Sequence, residues 1–403
     1  MARLLSPSLR GEFGLAFFVA TCMSMVATCG LQFWVATSVA TYDSAAFATR
    51  TIIRHSLALT IGIGAAGIIC APILADHLAL GSHEVAWTAA YAATNAVLLL
   101  VIAVPNGNRS MGVVAVALTG GAFAFLAGVS ILTIANFPSV TALLAAATAG
   151  NVTTIAASIP SWVRIHRSRP SSPHSDLSWT RAVHLYLPSG LGELVFLGML
   201  RADLVMLAVL APLDDVGVYA IASAFAEVLW VIPDAISQIT LPLSAEPNRG
   251  DTVTQVFRLT VVIMVPLGLV FTVASPVVIP LLFGSPYRAA VPAVPFLILA
   301  SLCAAIWKVI GGAIVSRGRP SVRLWTAAGG LIVMTSADVV LIPRFGVFGA
   351  SIAAAAGYAM AAVAMVVAWM HLPGHDFESL WRIRREDLTA MSRLLGVHRR
   401  GRG

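Results

Sequence analysis

The stretch "LIPRFGVFGASIAA", Leu341 to Ala354, joins two long apolar runs, one arriving from the Trp325 side and one leaving towards Met370, through only Pro343, Arg344, Phe345 and Gly346. Each run is about 20 residues long, the length a helix needs to cross the roughly 30 Å of hydrocarbon in a bilayer. Pro343 cannot continue the hydrogen-bond ladder and is expected to end the first helix, while Gly346 lets the chain turn with no Cβ in the way. The next helix presents Gly346, Ala350, Ala353 or Ala354, and Gly357 at small-xxx-small spacing. That spacing permits close helix approach in lipid, where packing drives association.

The rest of the chain has the same character. Its 403 residues are 58% hydrophobic and only 11% charged, with a mean hydropathy of +0.88. A soluble domain is roughly 25% charged and about 45–50% apolar, so this is an all-α, polytopic membrane protein. Cys22, Cys29, Cys70 and Cys303 all lie in apolar runs without CxxC spacing, which argues against a disulfide framework or a zinc site. The nine histidines lie in loops or at helix ends and form no HxxxH or HExxH pattern, so neither a metal nor another cofactor is expected. The N-terminal apolar stretch runs well past the length of a signal-peptide core and reads as uncleaved.

Eleven apolar runs begin near Phe13, Ser56, Val85, Met111, Val140, Val183, Val216, Val253, Ala289, Val322 and Val347. In hydrocarbon the backbone must satisfy its own polar groups, so each reads as a membrane helix. The joining segments are short except for "RIHRSRPSSPHSDLSWTR", Arg164 to Arg181. This polar linker divides the chain into a helical lobe at 1–163, a linker at 164–182, a second lobe at 183–372 and a tail at 373–403.

The basic residues partition by side. Arg50, Arg54, Arg109, the linker arginines 164, 167, 169 and 181, Arg249, Arg258, Arg317, Arg319, Arg323 and the seven arginines of the tail fall on one face, against Arg3, Arg10, Arg288 and Arg344 on the other. By the positive-inside rule the first face is cytoplasmic, giving a multi-pass cell-membrane protein with its C-terminus inside. In the tail, Phe377, Leu380, Trp381, Leu388, Met391 and Leu395 recur at helical spacing among the arginines. This fits a helix lying on anionic lipid, or equally a basic topological anchor. The pI of 9.7 follows from this bias and does not indicate a nucleic-acid partner.

Two blocks carry a family resemblance. "LLFGSPYRAAVPAVPFLILA", "GGAIVSRGRPSVRLW" and "LIPRFGVFGASIAAAAGYAM" resemble the closing helices of the polysaccharide flippases of the multidrug/oligosaccharidyl-lipid/polysaccharide exporter (MOP) superfamily. "RADLVMLAVLAPLDDVGVYAIASAFAEVLWVIPDAISQITLPLSAE", Arg201 to Glu246, is similar to the family's seventh and eighth helices. The resemblance implies two pseudo-symmetric helical lobes around a central cavity and alternating access. It implies as partners a lipid-linked oligosaccharide, membrane lipids and polysaccharide assembly proteins. "LSPSLRGEFG" resembles the outer loop that follows the family's first helix. The family has twelve helices or more, so the resemblance implies that its first helix is missing here, through a misplaced coding start or a true shortening.

Ionisable residues at membrane depth cost about 2.5–3.5 kcal/mol each on insertion scales and usually face protein or a wet cavity. Glu193, Arg201, Asp203, Glu227, Asp234, Lys308 and Asp338 are the candidates. Arg201 and Asp203, two apart, lie on roughly opposite faces and must find different partners. Glu227 and Asp234, seven apart, return to nearly the same face, and Pro233 loosens the backbone beside them. Asp338, near the outer helix end, is expected to reach the interface. Two readings stand side by side. Arg201, Asp203 and Lys308 are buried pairs that lock helices, or else, following the resemblance, Arg201 and Lys308 bind a pyrophosphate while Glu193, Asp203, Glu227 and Asp234 couple an ion or form structural pairs.

The function expected is a flippase moving a polyprenyl-pyrophosphate oligosaccharide for surface polysaccharide synthesis. A cation-coupled small-molecule antiporter of the same superfamily is the alternative, although the first half has no acid at mid-depth. A membrane glycosyltransferase or polysaccharide ligase fits less well, because the outer joins are short and carry only scattered acids such as Asp76, Glu84, Asp214 and Asp215. The chain is therefore not expected to be an enzyme.

Overall fold

A computed structural model of the chain describes residues 7–28, 30–42, 54–56, 58, 60–63, 65, 81–108, 110–135, 137, 139–168, 179–236 and 250–372. Their regular structure is helical throughout. The helices are α1 (Pro7–Thr28), α2 (Leu31–Tyr42), α3 (Ser82–Gly107), α4 (Met111–Ile134), α5 (Val140–Ser168), α6 (Trp179–Leu210), α7 (Leu213–Glu227), α8 (Gly250–Phe283), α9 (Val294–Ser316) and α10 (Ser321–Met370). Short 3-10 turns follow α7 at Val228–Trp230 and precede α9 at Ser285–Ala293. The centre of the expected linker, most of the expected span from Ser56 and the basic tail lie outside the described residues.

Among the described residues seven helices are long and apolar enough to cross a membrane, or up to eight when a bent pair is taken as one span. That pair is α1 and α2, where Ala16–Thr28 and Leu31–Val39 meet at 55°. At 32 residues α6 is long enough too, but Arg181, Glu193, Arg201 and Asp203 make it less apolar than the seven. The segment "PSLRGEFG", expected as an outer loop, is instead the first two turns of α1. Pro7 stands at the first helical position, where its missing N–H leaves no bond unmade and its fixed φ suits the helix.

The chain forms two compact units, Met1–Leu194 and Val195–Gly403, so the division falls within α6. In the first unit α3 packs against α1, α2 and α5, and α4 lies along α5. A Cβ on Gly121 of α4 would stand 2.7 Å from the Gly150 carbonyl oxygen of α5. Only glycine permits that approach, the small-residue contact that replaces hydrophobic driving force in lipid. Polar side chains add bonds between helices, with Asn95 Nδ2 donating to Ser24 Oγ at 2.7 Å and Trp162 Nε1 donating to the Val101 carbonyl at 2.9 Å.

In the second unit α9 lies along α10, α8 lies along α9, and α7 touches both α9 and α10. Its core is aromatic. Tyr219, Phe257, Trp307 and Trp369 are fully buried. Phe196 stacks on Trp307 with centroids 4.1 Å apart and meets Tyr358 edge-on at 5.5 Å, the offset and T-shaped contacts that aromatic quadrupoles favour.

The opening stretch lies in α10. At 50 residues and 1.5 Å per residue a straight helix would run about 75 Å, more than twice the hydrocarbon thickness. It is not straight, because Gly346 alone has non-helical dihedrals, φ 53° and ψ −128°, in a region that residues with a Cβ avoid. The two arms, 321–345 and 347–370, are thereby a tight helical pair. Pro343, expected to end the first arm, lies inside it; the helix runs two residues further and breaks at Gly346. A proline in the last turn disturbs only the bond behind it, whereas reversal of the chain needs the dihedrals that Gly346 supplies. Beyond the corner, Ala350, Ala353, Ala354 and Gly357 are all buried. A Cβ on Gly357 would stand 2.8 Å from the Gly330 carbonyl oxygen, so the arms touch backbone to backbone.

Candidate functional site

The charged residues singled out from the sequence mostly meet in the second unit, carried by α6, α7, α9 and α10. Arg201 and Asp203 leave α6 in different directions. Arg201 Nη1 pairs with Glu227 Oε1 at 3.2 Å, with the two side chains 37% and 27% exposed. Glu227 Oε1 also accepts from Ser223 Oγ at 2.8 Å. Asp203 is buried. Its Oδ1 accepts from the Leu204 backbone N–H at 2.8 Å and its Oδ2 from the Tyr219 hydroxyl.

Glu227 and Asp234 stand on either side of the 3-10 turn at Val228–Trp230 and take different partners. Pro233 offers no N–H to the carbonyl of Leu229, which accounts for a loosened turn at this place. Asp234 thus pairs with Lys308 of α9, while Glu227 pairs with Arg201. Lys308 is buried, and its Nζ lies 4.2 Å from the Trp230 ring centroid and 5.7 Å from that of Phe196. The rings solvate the desolvated cation on the side that Asp234 leaves open. Glu193 is half-buried on α6 and falls in the first unit.

Asp338 is the correction. Expected to reach the interface, it is instead 0% exposed, and neither carboxyl oxygen has a hydrogen-bond partner among the described residues. The first arm ends at Gly346 and not at Pro343, so Asp338 stands eight residues into the arm, more than two helical turns.

A small cleft in the second unit is lined by Asp203, Ser223, Glu227, Trp230, Ser301 and Tyr358, among others. Trp230 Nε1 donates to Ser301 Oγ at 2.9 Å. Carboxylates, hydroxyls and aromatic faces thus converge at one place with the Arg201 guanidinium paired at its edge, an arrangement that can hold a polar, anionic group beside ring faces. Sequence reasoning missed Tyr219, Ser223, Trp230 and Tyr358 as site residues. For Tyr219 a signal existed: it lies eight residues after Ala211, and Asp203 eight before, so the two stand at one depth on either side of the corner.

Comparisons with known proteins agree with this architecture. The family model described as polysaccharide biosynthesis protein matches residues 1–292. The match takes in the whole first unit and stops just before α9. No curated protein matches the sequence. Among solved structures, a point variant of the Vibrio cholerae MATE transporter VcmN is 16% identical, with a TM-score of 0.71, covering 90% of this chain and 91% of that one. A MATE structure in complex with MaL6 is 15% identical, with a TM-score of 0.74 and coverage of 91% and 89%. A MOP superfamily transporter from Pyrococcus furiosus, whose structure is described as having a binding pocket of reverse polarity, is 13% identical, with a TM-score of 0.70 and coverage of 91% and 87%. These neighbours are transporters, not enzymes. The chain is a multi-pass membrane protein with the fold of the MATE transporters, and it belongs to the polysaccharide biosynthesis protein family.

Proposed function

We propose that the protein moves a polyprenyl-pyrophosphate-linked oligosaccharide from the cytoplasmic to the outer leaflet, the lipid tail staying in the bilayer while the headgroup passes through the protein. The observation that carries this reading is the pairing of Arg201 with Glu227 at the edge of a cleft walled by Trp230 and Tyr358. Arg201 is over a third exposed, held by one carboxylate that a pyrophosphate can displace, and its fork suits phosphate oxygens bidentately. Aromatic faces beside it suit sugar rings. Lys308 is enclosed by Asp234 and Trp230 and serves here to hold α9 to the helical residues 231–236 that follow the 3-10 turn. Of the two cations, Arg201 is therefore the substrate contact.

The test is translocation in proteoliposomes, using a fluorescent polyprenyl-pyrophosphate oligosaccharide scored by its accessibility to an impermeant quencher. The full chain should move the probe; Arg201→Ala should abolish movement with protein still in the membrane, and Arg201→Lys should rescue it poorly. Efflux of a cationic dye with no movement of the lipid probe would replace this reading with the antiporter one.

A further inference from the structure

The cleft of the second unit holds a polar group that its neighbours leave unused. Tyr358, on the second arm of α10, is 4% exposed. Its side chain lines the cleft, yet its hydroxyl has no hydrogen-bond partner among the described residues. Phe196 and Trp230 meet its ring edge-on, with centroids 5.5 and 5.9 Å away, so packing holds the ring in place. A buried hydroxyl without a partner is destabilising. Where it lines a cleft, it marks what the cleft is shaped to receive.

The other polar groups of the cleft are engaged. Asp203 accepts from the Leu204 N–H and the Tyr219 hydroxyl. Ser301 Oγ accepts from Trp230 Nε1 and donates to the Leu297 carbonyl, each at 2.9 Å. Glu227 Oε1 accepts from Ser223 Oγ at 2.8 Å and from Arg201 Nη1 at 3.2 Å. One carboxylate with two donors and another neutralised by a guanidinium do not call for a cation. The need arises when Arg201 turns to a phosphate, because Glu227 then requires a donor in place of the guanidinium. A ligand group that completes the cleft therefore accepts a bond from Tyr358 and gives one to Glu227.

The size and the walls narrow this further. The cavity volume is about 20 Å³, and Ala226, Ala300 and Ala354 form apolar wall. That space is too small for a sugar ring and takes one small substituent entering at its mouth. A hydroxyl would satisfy both polar groups but leave the alanines uncovered. An acetamido group carries an N–H, a C=O and a methyl together.

We propose that the cleft is the subsite for the acetamido group of the sugar joined to the pyrophosphate. Tyr358 Oη donates to its carbonyl, Glu227 accepts from its N–H, and its methyl lies against the alanines. In a 2-acetamido sugar this group stands on the ring carbon next to the one that bears the phosphate. Arg201 and Tyr358 thus read neighbouring positions of one molecule, and Tyr358 determines specificity. The assignment rests on the reading of the substrate as a lipid-linked oligosaccharide.

The test offers the full chain two probes, polyprenyl-pyrophosphate N-acetylglucosamine and polyprenyl-pyrophosphate glucose, which differ only at that carbon. Affinity is read in micelles from tryptophan fluorescence, and movement in proteoliposomes. The wild type should bind the acetamido probe at least about tenfold more tightly, the discrimination that a hydrogen bond and a filled apolar pocket supply. Tyr358→Phe removes one oxygen and should weaken binding of the acetamido probe about 2- to 10-fold, narrowing the preference. Ala300→Val, which fills the cleft from α9, should narrow it too and decides the question if Tyr358→Phe fails to accumulate. Equal affinity of the wild type for the two probes, or a preference unchanged in Tyr358→Phe, overturns the subsite and leaves the cleft to ordered water. Preference for the acetamido probe without movement keeps the subsite and removes the flippase reading. Movement of both probes at equal affinity does the reverse, and binding of neither overturns both.

Discussion

Gly329 and Gly330 are neighbours on one helix, and the structure separates them sharply. A Cβ on Gly330 would stand 2.8 Å from the Gly357 carbonyl oxygen, 2.9 Å from Ala361 Cβ and 2.9 Å from Met199 Cε. One on Gly329 would meet only Met360 Cε, at 3.9 Å. Carbon contacts are optimal at about 3.5–4.0 Å, so Gly329→Ala fills space already shaped for a methyl. Gly330→Ala must push two backbones apart by close to 1 Å. Met199 can swing aside, but the carbonyl and Ala361 cannot. Overpacking of this kind costs about 1–3 kcal/mol. Both substitutions gain the same intrinsic helix propensity, about 1 kcal/mol, which cancels in the comparison. Gly330→Ala should therefore be less stable than Gly329→Ala by about 1–3 kcal/mol, or roughly 5- to 150-fold in the equilibrium that parts the arms. Reversible denaturation of both variants in mixed micelles, followed by tryptophan fluorescence, measures the difference. Equal stability of the two would refute the backbone-to-backbone contact at Gly330 and Gly357, and with it the packing assigned to the two arms.

Removing the Tyr219 hydroxyl takes one of two donors from a buried carboxylate, so Tyr219→Phe should destabilise by about 1.5–3 kcal/mol. Tyr358→Phe should be nearly neutral in the same denaturation assay, because the Tyr358 hydroxyl has no hydrogen-bond partner among the described residues. Export of surface polysaccharide in cells should be lost in Arg201→Ala at normal membrane levels, whereas Lys308→Ala, which removes the cation packed on Trp230 and paired with Asp234, should lower the amount of protein in the membrane, read on a blot. Single cysteines at Ser172 and Asp214 should label from opposite sides of the membrane in intact cells, with Asp214 accessible from outside, as the arginine partition requires.

The fold was legible because lipid imposes few solutions. Runs of about 20 apolar residues between short corners can only be helices, and the small residues after Gly346 marked a contact that the second arm makes against the first. What was misread is equally physical. Pro343 looked like the stop because proline breaks a ladder, yet chain reversal depends on dihedrals, and those belong to Gly346.

Asp338 shows where reading along the chain fails and what replaces it. From the sequence its depth is judged from the expected helix end, and Pro343 placed it near the interface. Measured from the true corner it is as deep as Asp203 and Tyr219, and that comparison needs only three residue numbers and the positions of two corners. Depth can therefore be recovered from sequence once the corners are known. Partnership cannot, because whether a carboxyl two turns down meets a donor depends on how neighbouring helices rotate about their axes. Rotation turns Asp203 towards the Tyr219 hydroxyl and leaves Asp338 with no donor among the described residues, so two acids of the same type at the same depth arrive at different surroundings.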